Sequence, residues 1–132
     1  MNDGPPAISP VAAQPVRRRT ATYQDNIMAA AGQKLRRVRE RLNLRYRDVV
    51  EASRSIAERH NNPEFAIALS RLADIENRGR LPSIYRLYSL CAIYGLKPEE
   101  VLGWYGIDIN ELPRDSKICS KWPTPAQQVL NL

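Results

Sequence analysis

The sequence predicts an all-α fold, and three observations support this prediction. Apolar residues recur every three or four positions in several segments, which is typical of the buried face of a helix. Residues that end helices separate these segments, namely Asn43, Pro63 and Gly95. No pair of segments shows the regular alternation of apolar and polar residues that a β-sheet requires. We therefore expect a bundle of five helices, preceded by a flexible N-terminal tail.

The charge of the chain favours an anionic partner. Its 132 residues, 43% of them hydrophobic, suffice for one domain with tails. Twenty Lys and Arg outnumber fourteen Asp and Glu, so the formal net charge is +6. The excess lies between Arg17 and Arg59, where twelve basic residues accompany five acidic ones. A basic surface attracts nucleic acid, although net charge alone does not identify the partner.

Cysteine content and hydropathy indicate a cytoplasmic protein. Cys91 and Cys119 are too few for a disulfide framework and lack the spacing of metal ligands. No run approaches the roughly 18 apolar residues of a membrane span, and the N-terminus lacks the apolar segment of a signal peptide. We expect no contact with a membrane.

The chain divides into three parts. We expect residues 1–21 to be a disordered tail rich in Pro and Ala, residues 22–106 to be the helical domain, and residues 107–132 to be a C-terminal extension. The extension can hold a short helix at Thr124, where a capping box precedes apolar residues. The tail ends in a basic run, Arg17, Arg18 and Arg19, which is either a solvated linker or an arm that contacts phosphates or a minor groove.

Two helices open the domain. The first is expected from Asp25 to Arg41, with Asp25 or Thr22 as its N-cap. The second is expected from Arg45 to His60. The apolar stripe of the first helix consists of Ile27, Ala31, Leu35, Val38 and Leu42, and that of the second of Val49, Ala52 or Ser53, and Ile56.

The stretch from Ser70 to Ser83 predicts a short helix followed by a basic turn. Before it, Phe65, Ile67 and Leu69 alternate with alanines, which indicates a short extended piece. Ser70 is the expected N-cap, and Gly79 permits the left-handed backbone that ends a helix. The outward positions carry donors and acceptors that suit a DNA major groove, although an ordinary solvated helix has the same pattern. These positions are Arg71, Asp74, Asn77 and Arg78.

Two more helices complete the domain. Pro82 and Ser83 open the fourth, and Gly95 ends it. Its expected buried stripe consists of Ile84, Leu87, Leu90, Cys91 and Tyr94. The fifth starts at Lys97–Pro98 and offers Trp104 and Tyr105 as either core residues or dimer contacts.

The sequence shows no recognisable pattern of a catalytic nucleophile, general base or metal ligands. His60, the only histidine, stands beside two asparagines and a proline, as expected at a solvated helix end. Cys91 lies on an apolar stripe, and Glu99 and Glu100 are typical of a helix start. There is no Gly-rich phosphate loop. We expect no enzymatic activity, cofactor, metal or small-molecule substrate.

The pattern resembles the lambda-repressor-like, XRE-type helix-turn-helix family over residues 32–105. The run from Gln33 to Leu44 looks like the family's first helix, and the run from Arg45 to Val50 looks like the opening of its second helix. The third piece looks like the end of the recognition helix and the helix after it, and consists of Ile75, Glu76, Gly79, Pro82, Ser83, Leu87 and Leu90. The resemblance implies sequence-specific binding of double-stranded DNA and transcriptional regulation.

The resemblance also implies residue roles. An ion pair between Arg39 and Glu76 would link the first helix to the recognition helix. Side chains turned toward base edges would be Arg71, Ala73 and Asp74, and those meeting the DNA backbone would be Tyr46, Asn77, Arg78 and Arg80. Arg45 and the Arg17–Arg19 run would neutralise further phosphates. One short helix reads few base pairs, so we expect a homodimer.

Two departures keep other functions open. The distance from Val50 to Glu76 is longer than the family's compact turn requires, because of an insertion at Ser55–Leu69. Ala73 has no donor, and Asp74 repels phosphate unless it accepts from a cytosine amine. The first alternative is a protein-interaction module without groove readout. The second is an RNA-binding protein, although no aromatic-rich sheet surface is evident.

Overall fold

The computed structural model describes residues 20–122, and it confirms the all-α prediction for them. Within that range there are six α-helices and no β-strand. The helices are α1 (Tyr23–Arg41), α2 (Tyr46–His60), α3 (Leu69–Asn77), α4 (Ile84–Tyr94), α5 (Pro98–Trp104) and α6 (Leu112–Ser116). Single 3₁₀ turns occur at Pro63–Phe65, Ile109–Glu111 and Lys117–Cys119. The expected Arg17–Arg19 arm and the expected helix at Thr124 lie outside the described residues.

Local signals set most helix ends where the sequence predicts them. Thr22 caps α1 in a reciprocal capping box with Asp25, and Ser83 caps α4 by accepting from the amide of Arg86. Asn43, Asn61 and Gly95 take positive φ angles and end α1, α2 and α4. These boundaries follow from residues within one helical turn of each end.

The core is formed by side chains from α1, α2, α3, α4 and α5. Helix α1 packs against α3 and α5, while α2 packs against α3 and α4. The largest fully buried apolar side chains are Leu35, Val49, Ile67, Leu72, Ile75, Leu90 and Val101. Tyr105 belongs to this core and Trp104 packs against it, so these two side chains serve the core of the monomer.

A close approach of α1 and α3 positions the rest of the molecule. Gly32 lies at this crossing, and a Cβ atom there would come within 2.2 Å of the carbonyl oxygen of Ile75. Only a residue without a side chain allows the two backbones to come this near. The close packing at Gly32 therefore sets the distance between α1 and α3.

The segment between α2 and α3 is a fixed connection rather than a strand. Ile67 is fully buried, and its amide donates to the Oγ atom of Ser53 at 2.9 Å. Ser89 Oγ donates to the carbonyl of Phe65 at 2.7 Å, and Arg86 Nε donates to that of Ala66 at 3.0 Å. Side chains of α2 and α4 thus satisfy the backbone of this segment, which a β-ladder would otherwise have done.

Three local predictions were wrong. Ser70 does not cap α3, because the helix begins at Leu69, two residues earlier than expected, and its N-cap is Ala68, which makes no side-chain cap bond. Leu69, which we expected in the short extended piece, is therefore an exposed helical residue. Ile84 is 76% exposed although its spacing matches the buried stripe of α4, of which it is the first residue.

Candidate functional site

The most strongly connected polar group in the structure is the Arg39–Glu76 pair. Arg39 Nε donates to Glu76 Oε2 at 2.7 Å, and Nη2 donates to Oε1 at 3.0 Å, which is a bidentate arrangement. Its Nη1 donates to the carbonyl of Leu44 at 2.8 Å, and the guanidinium lies 4.4 Å from the ring centre of Tyr46. The hydrogen bonds that Arg39 donates to Glu76 raise the pKa of Arg39. The pair ties α1, the turn before α2, and α3 together.

Asn77 joins the end of α3 to the start of α2. Its Nδ2 donates to the hydroxyl of Tyr46 at 3.2 Å, and its Oδ1 accepts from Arg36 Nη1 at 3.3 Å. Gln33 Nε2 donates to the carbonyl of Glu76 at 3.1 Å, which satisfies one of the free carbonyls at the helix end. Tyr46 and Asn77, predicted from distant parts of the sequence, therefore lie side by side.

Arg45 stands beside this junction. It is the N-cap residue of α2, and its amide donates to Asp48 Oδ2 at 2.7 Å. This backbone hydrogen bond, together with the Arg45 side chain, lowers the pKa of Asp48. The side chain of Arg45 also pairs with Asp48, with Nη2 3.3 Å from Oδ1, and it is 73% exposed.

The outer face of α3 carries one acid between two arginines. Asp74 Oδ1 lies 3.6 Å from Arg78 Nε, and Oδ2 lies 3.8 Å from Arg80 Nη1. Arg71 and Ala73 are partly buried. Arg71 makes no hydrogen bond or ion pair with any part of residues 20–122, so its guanidinium has no internal partner there.

The structure thus brings together most of the residues that the resemblance singled out. Arg45 and Tyr46 begin α2 next to Asn77 and Arg78 at the end of α3. Arg71, Ala73 and Asp74 share α3 itself, one to two turns earlier.

Sequence reasoning missed three contributors, namely Gly32, Gln33 and Arg36. A glycine inside a helical pattern signals close packing, so Gly32 could have been found in advance. Gln33 and Arg36 act across more than 40 residues of sequence and gave no local signal.

A second, aromatic cluster lies on the opposite end of α2. His60 stacks on Phe65 with ring centres 4.4 Å apart, and Tyr88 meets both rings edge-on. Tyr85 also contacts Phe65, and both tyrosines are exposed. His60 is exposed, and its ring is stacked on Phe65 rather than simply solvated.

The remaining titratable groups suit structural roles. Burial raises the pKa of the Cys91 thiol and holds it in the less reactive protonated form. Over residues 20–122 there is no group of three His, Cys, Asp or Glu side chains placed to bind a metal. In the same range, no helix is both long enough and apolar enough to cross a bilayer.

No family model, curated protein or solved structure matches this chain.

Proposed function

We propose that this protein binds double-stranded DNA in a sequence-specific manner as a transcriptional regulator, with the five-helix arrangement of the lambda-repressor-like family. The observation that carries the proposal is the junction at Tyr46 and Asn77. It joins the start of α2 to the end of α3 and leaves Arg45, Arg78 and Arg80 exposed around it.

Helix α3 is suited to enter a major groove. Its inner side chains Leu72, Ile75 and Glu76 are buried, so the helix is anchored along one face only. An α-helix with its side chains is about 10–12 Å across, which fits a groove about 12 Å wide, and the nine residues of α3 extend about 14 Å along its axis. The inner anchors hold the opposite face in a fixed orientation toward a ligand.

The exposed arginines support contact with phosphates. Arg78 and Arg80 follow α3, and Arg45 precedes α2, so positive charge lies at both borders of the junction. Tyr46 and Asn77 add neutral donors at the same place. Phosphate contacts of this kind fix the position of a protein on the duplex, whereas base contacts select the sequence.

Arg71 is our candidate for the base contact. It is a partly buried residue of α3 that makes no hydrogen bond or ion pair within residues 20–122, and an arginine is the commonest reader of guanine. A single α3 spans only about four base pairs at 3.4 Å per step. A homodimer with two copies of α3 about 34 Å apart would read a longer site.

Binding to duplexes at different salt concentrations tests the proposal. Duplexes would first be selected from a random pool on the immobilised protein. Their affinity should then fall steeply between about 50 and 200 mM salt, because phosphate contacts release counterions. The double variant Arg78→Ala/Arg80→Ala should weaken binding, whereas Arg54→Ala/Arg114→Ala removes the same charge away from the junction and should have little effect.

The rival function is a protein-interaction module. The exposed Tyr85 and Tyr88, clustered with Phe65 and His60, favour this alternative, because aromatic side chains are enriched at protein interfaces. If no duplex is retained even at about 50 mM salt, the DNA-binding proposal is wrong and the interaction module becomes the better explanation. Retention of single-stranded RNA in preference to duplex DNA would instead indicate an RNA-binding protein.

A further inference from the structure

Asp74 is the one acidic side chain on the outer face of α3, and it lies between the two arginines that follow the helix. The other acid of α3, Glu76, is buried against Arg39. Asp74 is 28% exposed and lies 3.6 Å from Arg78 and 3.8 Å from Arg80. Both arginine side chains are more than half exposed.

These two ion pairs are loose, in contrast to the Arg39–Glu76 pair. Their distances exceed those of charge-assisted hydrogen bonds, and exposed pairs of this kind contribute little to stability. Arg78 and Arg80 can therefore exchange Asp74 for another anion at small cost. The nearest alternative anion at this face would be a DNA phosphate.

A phosphate that approaches Arg78 and Arg80 must compete with a carboxylate already beside them. It meets two positive charges and one negative charge, and the carboxylate must give up its partners. A cytosine amine in the groove can donate to the freed carboxylate and offset this loss. A duplex of arbitrary sequence offers no such compensation.

We propose that Asp74 is a specificity-determining residue, which competes with phosphates for Arg78 and Arg80 and so weakens binding to DNA of arbitrary sequence. This inference rests on the proposed function. Asp74 acts here through the two arginines, as a positioning residue for them, in addition to any contact of its own with a base.

The test compares Asp74→Asn with the wild-type chain on a duplex of random sequence. Asparagine keeps the side-chain size, and the backbone carbonyl at this position still accepts from the amides of Arg78 and Arg80. We expect Asp74→Asn to bind about threefold more tightly at 50 mM salt. Its log–log salt slope should steepen by up to about 0.9 for each arginine released.

Glu111→Gln is the matched control. Glu111 is also an exposed acid paired with an arginine, Arg114, but it belongs to the segment after α5. Its substitution raises the net charge by the same amount. Equal effects of Asp74→Asn and Glu111→Gln would show that only net charge matters and would overturn the inference.

A second comparison tests the route through the arginines. In the Arg78→Ala/Arg80→Ala background, Asp74→Asn should no longer increase affinity, and an undiminished increase would contradict the inference.

The last comparison uses the selected duplex. Asp74→Asn should reduce the preference of the protein for this duplex over one of random sequence. If the wild-type chain and Asp74→Asn both bind no duplex, the proposed function falls and this inference falls with it. Binding by the wild-type chain with no change in Asp74→Asn removes this inference alone.

Discussion

Asp74 and Glu76 are two residues apart on α3 and carry the same charge, yet their surroundings give them different roles. Glu76 faces the core and accepts two hydrogen bonds from Arg39. Asp74 lies on the outer face, and its carboxylate oxygens are more than 3.5 Å from the side-chain nitrogens of Arg78 and Arg80. Removal of one partner from a buried pair leaves an uncompensated charge, whereas an exposed pair is replaced by water. At the scale of single residues, burial therefore decides whether an acid stabilises the fold or tunes a surface.

Glu76→Gln tests the structural role of the buried pair. The substitution keeps the side-chain size but leaves Arg39 without its counter-charge, so we expect a loss of about 3 kcal/mol in the free energy of unfolding. Thermal unfolding followed by circular dichroism would measure it. Glu40→Gln is the control, because Glu40 pairs with Arg36 on the exposed face of α1 and should change stability by less than about 1 kcal/mol. Equal melting temperatures for the two variants would contradict the assignment.

Tyr105→Phe tests a buried hydroxyl without a partner. Tyr105 is 6% exposed, and its hydroxyl finds no hydrogen-bond partner within residues 20–122. A buried, unsatisfied hydroxyl costs about 1–3 kcal/mol, so phenylalanine should raise the melting temperature at pH 7 or leave it unchanged. A clear loss of stability at pH 7 would show that the hydroxyl is satisfied after all.

The same variant should have a pH signature. Burial raises the pKa of Tyr105 from 10.0 to about 12, so the phenol ionises more readily in the unfolded chain than in the folded one. The stability that depends on a protonated Tyr105 is therefore fully present below pH 10, and the folded wild-type chain loses it as the pH rises toward 12. The advantage of Tyr105→Phe over the wild-type chain should therefore grow by about 1 kcal/mol between pH 9 and pH 11. Tyr88→Phe, at an exposed site, serves as the control in urea unfolding at both pH values.

At the scale of elements, the decisive contact is the crossing of α1 and α3. Gly32 lets the two backbones meet, Gln33 reaches the end of α3, and Arg36 and Arg39 hold Asn77 and Glu76. Four positions on one face of α1 thus orient α3. The orientation of the candidate reading helix is consequently a property of the packing between two helices rather than of α3 alone.

Gly32→Ala tests this crossing. The new Cβ atom would lie 2.2 Å from the carbonyl oxygen of Ile75 and 3.0 Å from that of Glu76, so the helices must move apart. We expect a destabilisation of about 3 kcal/mol, at the upper end of the range for overpacking. Gly103→Ala is the control, since its Cβ would meet nothing within 4 Å and alanine favours a helix by about 0.5–1 kcal/mol. Opposite changes in melting temperature would support the packing account, and a neutral Gly32→Ala would contradict it.

At the scale of the whole molecule, the bundle presents one basic junction on a rigid body. The junction and its border consist of Arg45 and Tyr46 at the start of α2, and of Asn77, Arg78 and Arg80 at the end of α3. Its parts come from separate helices, and the core beneath them holds their relative positions. The proposed division between base reading by Arg71 and phosphate binding by the junction is a property of this whole arrangement.

Arg71→Ala and Arg80→Ala test that division. Loss of a base contact should relax the sequence preference at one position, at a cost of about 1–3 kcal/mol for the preferred duplex. Loss of a phosphate contact should weaken all duplexes alike and reduce the salt slope by about 1. Binding of both variants to the selected duplex and to a random one would measure these effects. If the two variants behave identically, the assignment of reader and anchor is wrong.

Local patterns were sufficient for the helix content and for most helix ends. Thr22, Asn43, Asn61, Ser83 and Gly95 act within one turn of the residues they cap, so their effect can be read from neighbouring positions. Apolar spacing likewise identified Ala31, Leu35, Leu72, Ile75 and Leu90 as core residues. The predictions failed at Ser70, which lies inside α3, and at Ile84, which is exposed. Capping preference and apolar spacing are local tendencies, and tertiary context can override them.

The candidate site depended on both levels. The types of residue on α3, the basic turn after it and the resemblance pointed to Arg71, Asp74 and Arg80 before any contact was visible. Only the tertiary structure placed Asp74 between Arg78 and Arg80, joined Tyr46 to Asn77 across 31 residues, and brought α1 against α3 at Gly32. Helix formation and capping are governed by interactions between near neighbours in the chain, whereas these contacts depend on how separate helices pack, which no short window of sequence encodes.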